Sequence, residues 1–97
     1  MKEHKIGSKK VLSRLYKAMV LLEDEKEAKA FLTDLCTPAE LEAMADRLAV
    51  IPYLKQGVPY RAIHDKTGVS VATITRVARC LVSGEGGYEL INQRLEQ

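Results

Sequence analysis

A chain of 97 residues, 46% of them apolar and 29% charged, with a formal net charge of only +2, is sized for one small domain. No apolar stretch is long enough to span a bilayer, and the polar start lacks the apolar middle of a secretory signal, so a cytoplasmic protein is expected. Cys36 and Cys80 stand far apart with no paired Cys or His spacing around them, which argues against a disulfide framework and against a metal site.

The chain opens with Lys2, Lys5, Lys9 and Lys10 against Glu3, which reads either as a mobile basic arm for an anionic partner or as a solvated terminus. From residue 9 to residue 22, Leu12, Leu15, Tyr16, Met19 and Leu22 follow helical spacing, with Val11, Val20 and Leu21 widening the stripe and Ser8 in position to cap it. Asp24 with Glu27 three residues on makes a capping-box-like start for a second helix, whose apolar face is Ala28, Phe31, Leu32 and Leu35. Thr37-Pro38-Ala39-Glu40 is the clearest helix start in the chain: Thr as N-cap, Pro at the first helical position and Glu at the third.

Leu41, Met44, Ala45, Leu48 and Ile51 extend a buried stripe along this third helix. Pro52 interrupts it, predicting a kink within 50–54 and a stop at Gly57. A domain of this length buries only about 60–65% of the surface its unfolded chain exposes. The apolar share exceeds what one small helical core hides, so residues 8–57 are expected to pack against a second copy; the alternative is that helical domains are simply rich in Leu and Ala.

Residues 59–82, PYRAIHDKTGVSVATITRVARCLV, have the outline of a helix-turn-helix. Pro59 pre-sets a first helix, Gly68 supplies the left-handed residue that ends it, Val69 fills the turn, and Ser70 caps a second helix running over 71–82. Ile63, Val69, Ile74 and Val77 fall where two crossed helices share a core, and Ile74, Ala78 and Leu81 define the buried stripe of the second helix. His64 and Thr67 depart from the small and aliphatic residues that the outline ordinarily has there.

The other face of the second helix carries Ala72, Thr73, Thr75, Arg76 and Arg79 without a carboxylate. A small, polar first turn fits the major groove, where the methyls of Val71, Ala72 and Thr73 can meet thymine and threonine hydroxyls can bond bases. Arg61 and Lys66 on the first helix, with Arg76 and Arg79 on the second, can hold phosphates and fix register. Charge is distributed accordingly: residues 23–46 hold eight acids against two lysines, whereas residues 60–82 hold four basic side chains against Asp65. After the motif, Gly84, Gly86 and Gly87 make a loop, and Tyr88, Ile91 and Leu95 give a short amphipathic helix over 88–95.

LCTPAELEAMADRLAV followed by TGVSVATITR resembles the Trp repressor superfamily, which shares the Leu-x-Thr-Pro-x-Glu and Ala-Thr-Ile-Thr-Arg words. With Arg79-Cys80-Leu81, the loop ending Gly86-Gly87-Tyr88 and Arg94-Leu95, the chain is most similar to the YerC/YecD-type branch. The resemblance covers nearly the whole chain. It implies an all-α fold, a small bundle of about six helices in one Trp repressor-like domain spanning 1–97, forming an intertwined homodimer whose partner is double-stranded DNA.

The resemblance also bears on an effector. In the Trp repressor an indole is held between two arginine planes, and Arg47 and Arg76 match those positions, with Thr37 at a pocket-lining one. Stacked guanidinium groups suit an aromatic ring and a carboxylate. The repressor follows its second arginine with glycine, whereas this chain has Val77, whose branched side chain should occupy the ligand's space. L-tryptophan is therefore not expected as effector, and no cofactor is expected. Arg76 keeps two readings, DNA and pocket.

Two function classes remain on the sequence: a sequence-specific DNA-binding transcriptional regulator acting as a homodimer, and a helical protein-protein interaction module without sequence-specific DNA binding. An enzyme is not expected. His4 and His64 are the only histidines, with His64 expected as a packing residue of the first motif helix; neither cysteine has a nearby base, and the Gly84-Glu85-Gly86-Gly87 loop follows no strand that would make it a nucleotide cradle.

Overall fold

A computed structural model describes residues 7–97, in which six α-helices and no strand are present: α1 (Ser8–Val20), α2 (Glu25–Leu35), α3 (Pro38–Lys55), α4 (Tyr60–Thr67), α5 (Val71–Ser83) and α6 (Gly87–Leu95). The expected all-α architecture of about six helices is therefore the one found. Lys2 and Lys5 of the basic start lie outside the described residues, and Lys9 and Lys10 are exposed in the first turns of α1. Among the described residues no helix is long and apolar enough to cross a membrane.

The chain divides into two compact units between Thr37 and Pro38. In the first, α1 begins one residue before the predicted start: Gly7 stands at the N-cap, without a side-chain bond, and Ser8 is already helical. α2 starts as its sequence dictates, with Asp24 accepting the Glu27 N–H at 2.8 Å. The Glu27 carboxylate reaches back to the N–H of Glu23, closing the box one residue upstream of the cap. Neither helix buries a single described side chain. Leu12, Tyr16, Val20, Leu21 and Leu35 are all exposed.

The second unit holds the core. Val50 and Ile51 from α3, Ile63 from α4, Val69 from the turn, and Ile74 and Val77 from α5 form one buried cluster, with Tyr53, Leu54, Val58, Leu81 and Tyr88 packed around it. All four motif residues assigned to a shared core are there. α3 packs on both α4 and α5, and it supplies the core through consecutive residues, Val50 and Ile51, of which the apolar periodicity marked only Ile51. The rest of its predicted stripe is open: Met44 and Leu48 are exposed, because α4 and α5 cover only the C-terminal part of α3.

The helical assignment carries through Pro52, so α3 is one element to Lys55. It ends where expected, at Gly57 with φ +76°, and the Val58 N–H returns to the Tyr53 carbonyl at 3.0 Å.

α6 docks on α3 and α5 with a different face from the one expected. Tyr88 is half-buried against the core and Asn92, one turn later, is buried, whereas Ile91 and Leu95 are exposed. The setting of the helix explains the difference. Gly86 enters it with φ +83°, and Glu89 of its first turn receives the Lys55 ammonium at 2.6 and 2.7 Å, so α6 is rotated to place Tyr88 and Asn92 inward. A side chain on Gly84, just before this loop, would collide with the Cys80 carbonyl oxygen, which makes glycine obligatory there.

The turn between α4 and α5 is held by both residues that depart from the ordinary outline. Gly68 has φ +76° and returns its N–H to the His64 carbonyl at 2.8 Å. Thr67 donates its hydroxyl to the Ile63 carbonyl at 2.7 Å and accepts the Val69 N–H at 3.1 Å, while the His64 ring meets the Val69 carbonyl through Nδ1 at 2.8 Å. An aliphatic residue at Thr67 would leave a half-buried N–H without its partner. Thr67→Val, close to it in shape, should cost about 1–3 kcal/mol, and Ile74→Ala, which empties the centre of the core, about 2–5 kcal/mol. Urea denaturation reads both, and an unchanged midpoint for Thr67→Val would discard the structural role of its hydroxyl.

Candidate nucleic-acid interface

α5 is the element around which the candidate site is built. Ser70, extended at φ −65° and ψ 149°, accepts the Thr73 N–H at 3.1 Å and starts the helix without any acidic residue in its first turn. Ile74 and Val77 are fully buried, which fixes the rotation of the helix. Val71, Ala72, Arg76 and Arg79 are exposed as a result, with Thr73 and Thr75 half-buried at the edge of that face. On α4, Arg61 and Lys66 are exposed as well. All eight residues singled out for DNA contact thus lie on the two helices of the motif, and none of them is buried.

The threonine hydroxyls are more constrained than the sequence could indicate. Ser70 donates its hydroxyl to Thr73 Oγ1 at 3.0 Å, which leaves the Thr73 proton available for an outside acceptor. Thr75 gives its proton to the Val71 carbonyl at 2.8 Å, so toward any partner it can only accept or present its methyl. The two residues, chemically identical in the sequence, therefore offer opposite hydrogen-bonding capacity.

The tentative effector residues are distributed over both units. Thr37 closes the first unit, while Arg47 is half-buried on α3 and Arg76 exposed on α5 in the second. Val77, next to Arg76, is committed to the core together with Ile63 and Ile74 and has no exposed surface. Among the described residues there is no group of three or more His, Cys, Asp or Glu side chains placed to hold a metal ion. Cys36 and Cys80 are free thiols, both half-buried.

His64, a packing residue on sequence grounds, is instead exposed and tied to the turn by its ring nitrogen. Only its departure from the small residue expected at that position hinted at a role. Reasoning from periodicity also missed Lys55 and Glu89, which join α3 to α6 across 34 positions in sequence and leave no local pattern.

Comparison with known proteins places this arrangement. The family model described as Trp repressor protein matches residues 10–96. Protein YerC of Bacillus subtilis (strain 168) is 40% identical over 88 residues, covering 91% of this chain and 85% of YerC. A crystal structure of a candidate Trp repressor from Staphylococcus aureus superposes with a TM-score of 0.83 at 38% identity, over 89% of this chain and 86% of that one. A TrpR-like protein from Eubacterium eligens ATCC 27750 gives a TM-score of 0.84 at 36% identity, over 91% of each chain. The chain belongs to the Trp repressor family, a family of DNA-binding regulatory proteins and not of enzymes.

Proposed function

We propose that the protein is a homodimeric, sequence-specific DNA-binding transcriptional regulator that sets the α5 helices of its two copies into successive major grooves. The observation that carries this reading is the two-sidedness of α5. Ile74 and Val77 are buried to the last atom, while Ala72, Arg76 and Arg79 stand exposed on a helix start with no carboxylate. A narrow, basic, small-residue helix face is what the major groove admits.

The roles follow from the bonding capacity of each side chain. Arg61, Lys66, Arg76 and Arg79 neutralise phosphates and fix register. Val71 and Ala72 offer methyl surface to thymine, Thr73 donates to a base or phosphate acceptor, and Thr75, its own proton already used, accepts from an exocyclic amine or presents its methyl. Arg76 is given to DNA rather than to an effector. Val77 stands where the repressor has glycine and leaves an indole less room beside Arg76, so L-tryptophan is not the expected effector, and a cytoplasmic location goes with the DNA-binding reading.

A second copy of the chain is the natural cover for what one copy leaves open. α1 and α2 bury none of their described side chains, and Leu12, Tyr16, Val20, Leu35, Met44 and Leu48 are exposed apolar residues on helices 1 to 3. A two-fold pair of motifs then reads half-sites about 34–36 Å apart.

Selection of bound sequences from random duplex DNA at near-physiological salt should enrich a two-fold symmetric site. Arg76→Ala should weaken binding across sequences and reduce the salt slope by about 0.9, whereas Thr73→Ala should relax base preference at one position per half-site. No enrichment of a palindrome would overturn the reading. Sedimentation equilibrium should give twice the 10.8 kDa chain mass, and a monomer at micromolar concentration would remove the dimer. L-tryptophan at millimolar concentration should leave Tm unchanged; a saturable rise would return Arg47 and Arg76 to an effector pocket.

A further inference from the structure

We propose that His64 is an additional phosphate contact of the same interface and that it takes up one proton on engaging DNA, so that DNA affinity rises as pH falls. The proposal rests on the DNA-binding reading of α5 and adds to it a residue and a linked proton.

The hydrogen bond at the turn fixes the ring's chemistry. His64 Nδ1 lies 2.8 Å from the Val69 carbonyl oxygen. A carbonyl oxygen only accepts, so Nδ1 carries the hydrogen. A neutral imidazole has one N–H, and with that hydrogen at Nδ1 the other nitrogen, Nε2, is a bare acceptor that repels a phosphate oxygen. A second proton turns Nε2 into a donor and gives the ring a positive charge, without disturbing the bond to Val69.

The bond also fixes where the ring stands. Val69 immediately precedes Ser70, the N-cap of α5, so the imidazole is held beside the turn that delivers the exposed face of α5. His64 is itself exposed, and Arg61, three residues earlier on α4, shares its side of the helix. In a helix-turn-helix the first helix crosses the phosphate backbone while the second enters the groove, which brings this part of α4 to the phosphates.

On α4, the charged residues around the ring are Arg61 and Asp65, with Lys66 two positions on. α5, packed against α4, contributes Arg76 and Arg79. α3, also packed against α4, carries Glu40, Glu42, Asp46, Arg47, Tyr53 and Lys55, of which Lys55 is taken up by Glu89. Phosphate oxygens arriving at Nε2 favour the protonated ring. The DNA complex therefore binds the proton more tightly than the free protein does. By linkage, affinity is gained as pH falls and is lost as pH rises.

Fluorescence anisotropy with a duplex taken from the selection, at pH 6 and pH 8 and at several salt concentrations, tests this with two variants. His64→Asn keeps a short amide donor for the Val69 carbonyl and lacks the outward nitrogen, while His64→Lys carries a permanent charge; urea midpoints establish that both fold. The wild-type protein should bind several-fold more tightly at pH 6 than at pH 8, with a salt slope steeper by about 0.9 at the lower pH. His64→Asn should bind at both pH values as the wild type does at pH 8, and His64→Lys at pH 8 as the wild type does at pH 6. A His64→Asn variant that keeps the wild-type pH dependence overturns the proposal while leaving DNA binding intact. A wild-type protein that binds the duplex at neither pH overturns the DNA-binding reading, and this proposal with it.

Discussion

Ile63, Ile74 and Val77 meet Val50 and Ile51 where α3, α4 and α5 cross, with Val69 filling the turn beside them, and the orientation of every exposed residue on α5 depends on that contact. A helix can be rolled about its axis at little cost until branched side chains interlock with those of its neighbours; once they do, any rotation opens voids or forces clashes. Two buried positions on α5 three residues apart are enough to settle which residues face outward. A cluster this small leaves little redundancy, so each of its members carries a large share of the unit's stability.

The polar turn complements the apolar core. Ordinarily the angle between the helices of such a motif is secured by apolar filling and a glycine. Here Thr67 and His64 add hydrogen bonds to both polar atoms of the Val69 main chain, the N–H through Thr67 Oγ1 and the carbonyl through His64 Nδ1. The turn backbone is thereby satisfied without a buried unpaired group, which is the usual hazard of polar residues in a tight connection. Lys55 and Glu89 tie α6 to α3 in the same polar manner, through an exposed ion pair worth little by itself but directional at two short distances.

The first unit follows a different logic. Asp24 caps α2 and both helices are amphipathic in sequence, yet nothing described in α1 or α2 is buried. Helix-forming tendency and apolar patterning specify these elements locally, while the surface they offer is only completed by another one. In the second unit Met44 and Leu48 of α3 are exposed too, so its longest helix serves the core with its C-terminal part and leaves its middle uncovered.

Local chemistry determined most of the elements. Thr37-Pro38 before α3, Asp24 with Glu27 at α2, Gly68 and Ser70 at the turn, and the spacing of Ile63, Val69, Ile74 and Val77 are all short-range signals, and each lies where it was read. Tertiary structure decided what depends on distant partners. That α6 turns Asn92 inward in place of Ile91 and Leu95, that Val50 joins the core, and that His64 is a fixed exposed ring rather than a packing residue all follow from contacts made between helices or across the turn. The opposite bonding capacities of Thr73 and Thr75 are a local matter, yet they too needed coordinates, because a hydroxyl's choice among neighbouring acceptors is set by its rotamer. Periodicity identifies a helix face but not its partner, since the same stripe is satisfied by a core, by a second copy, or by neither until the chain has folded.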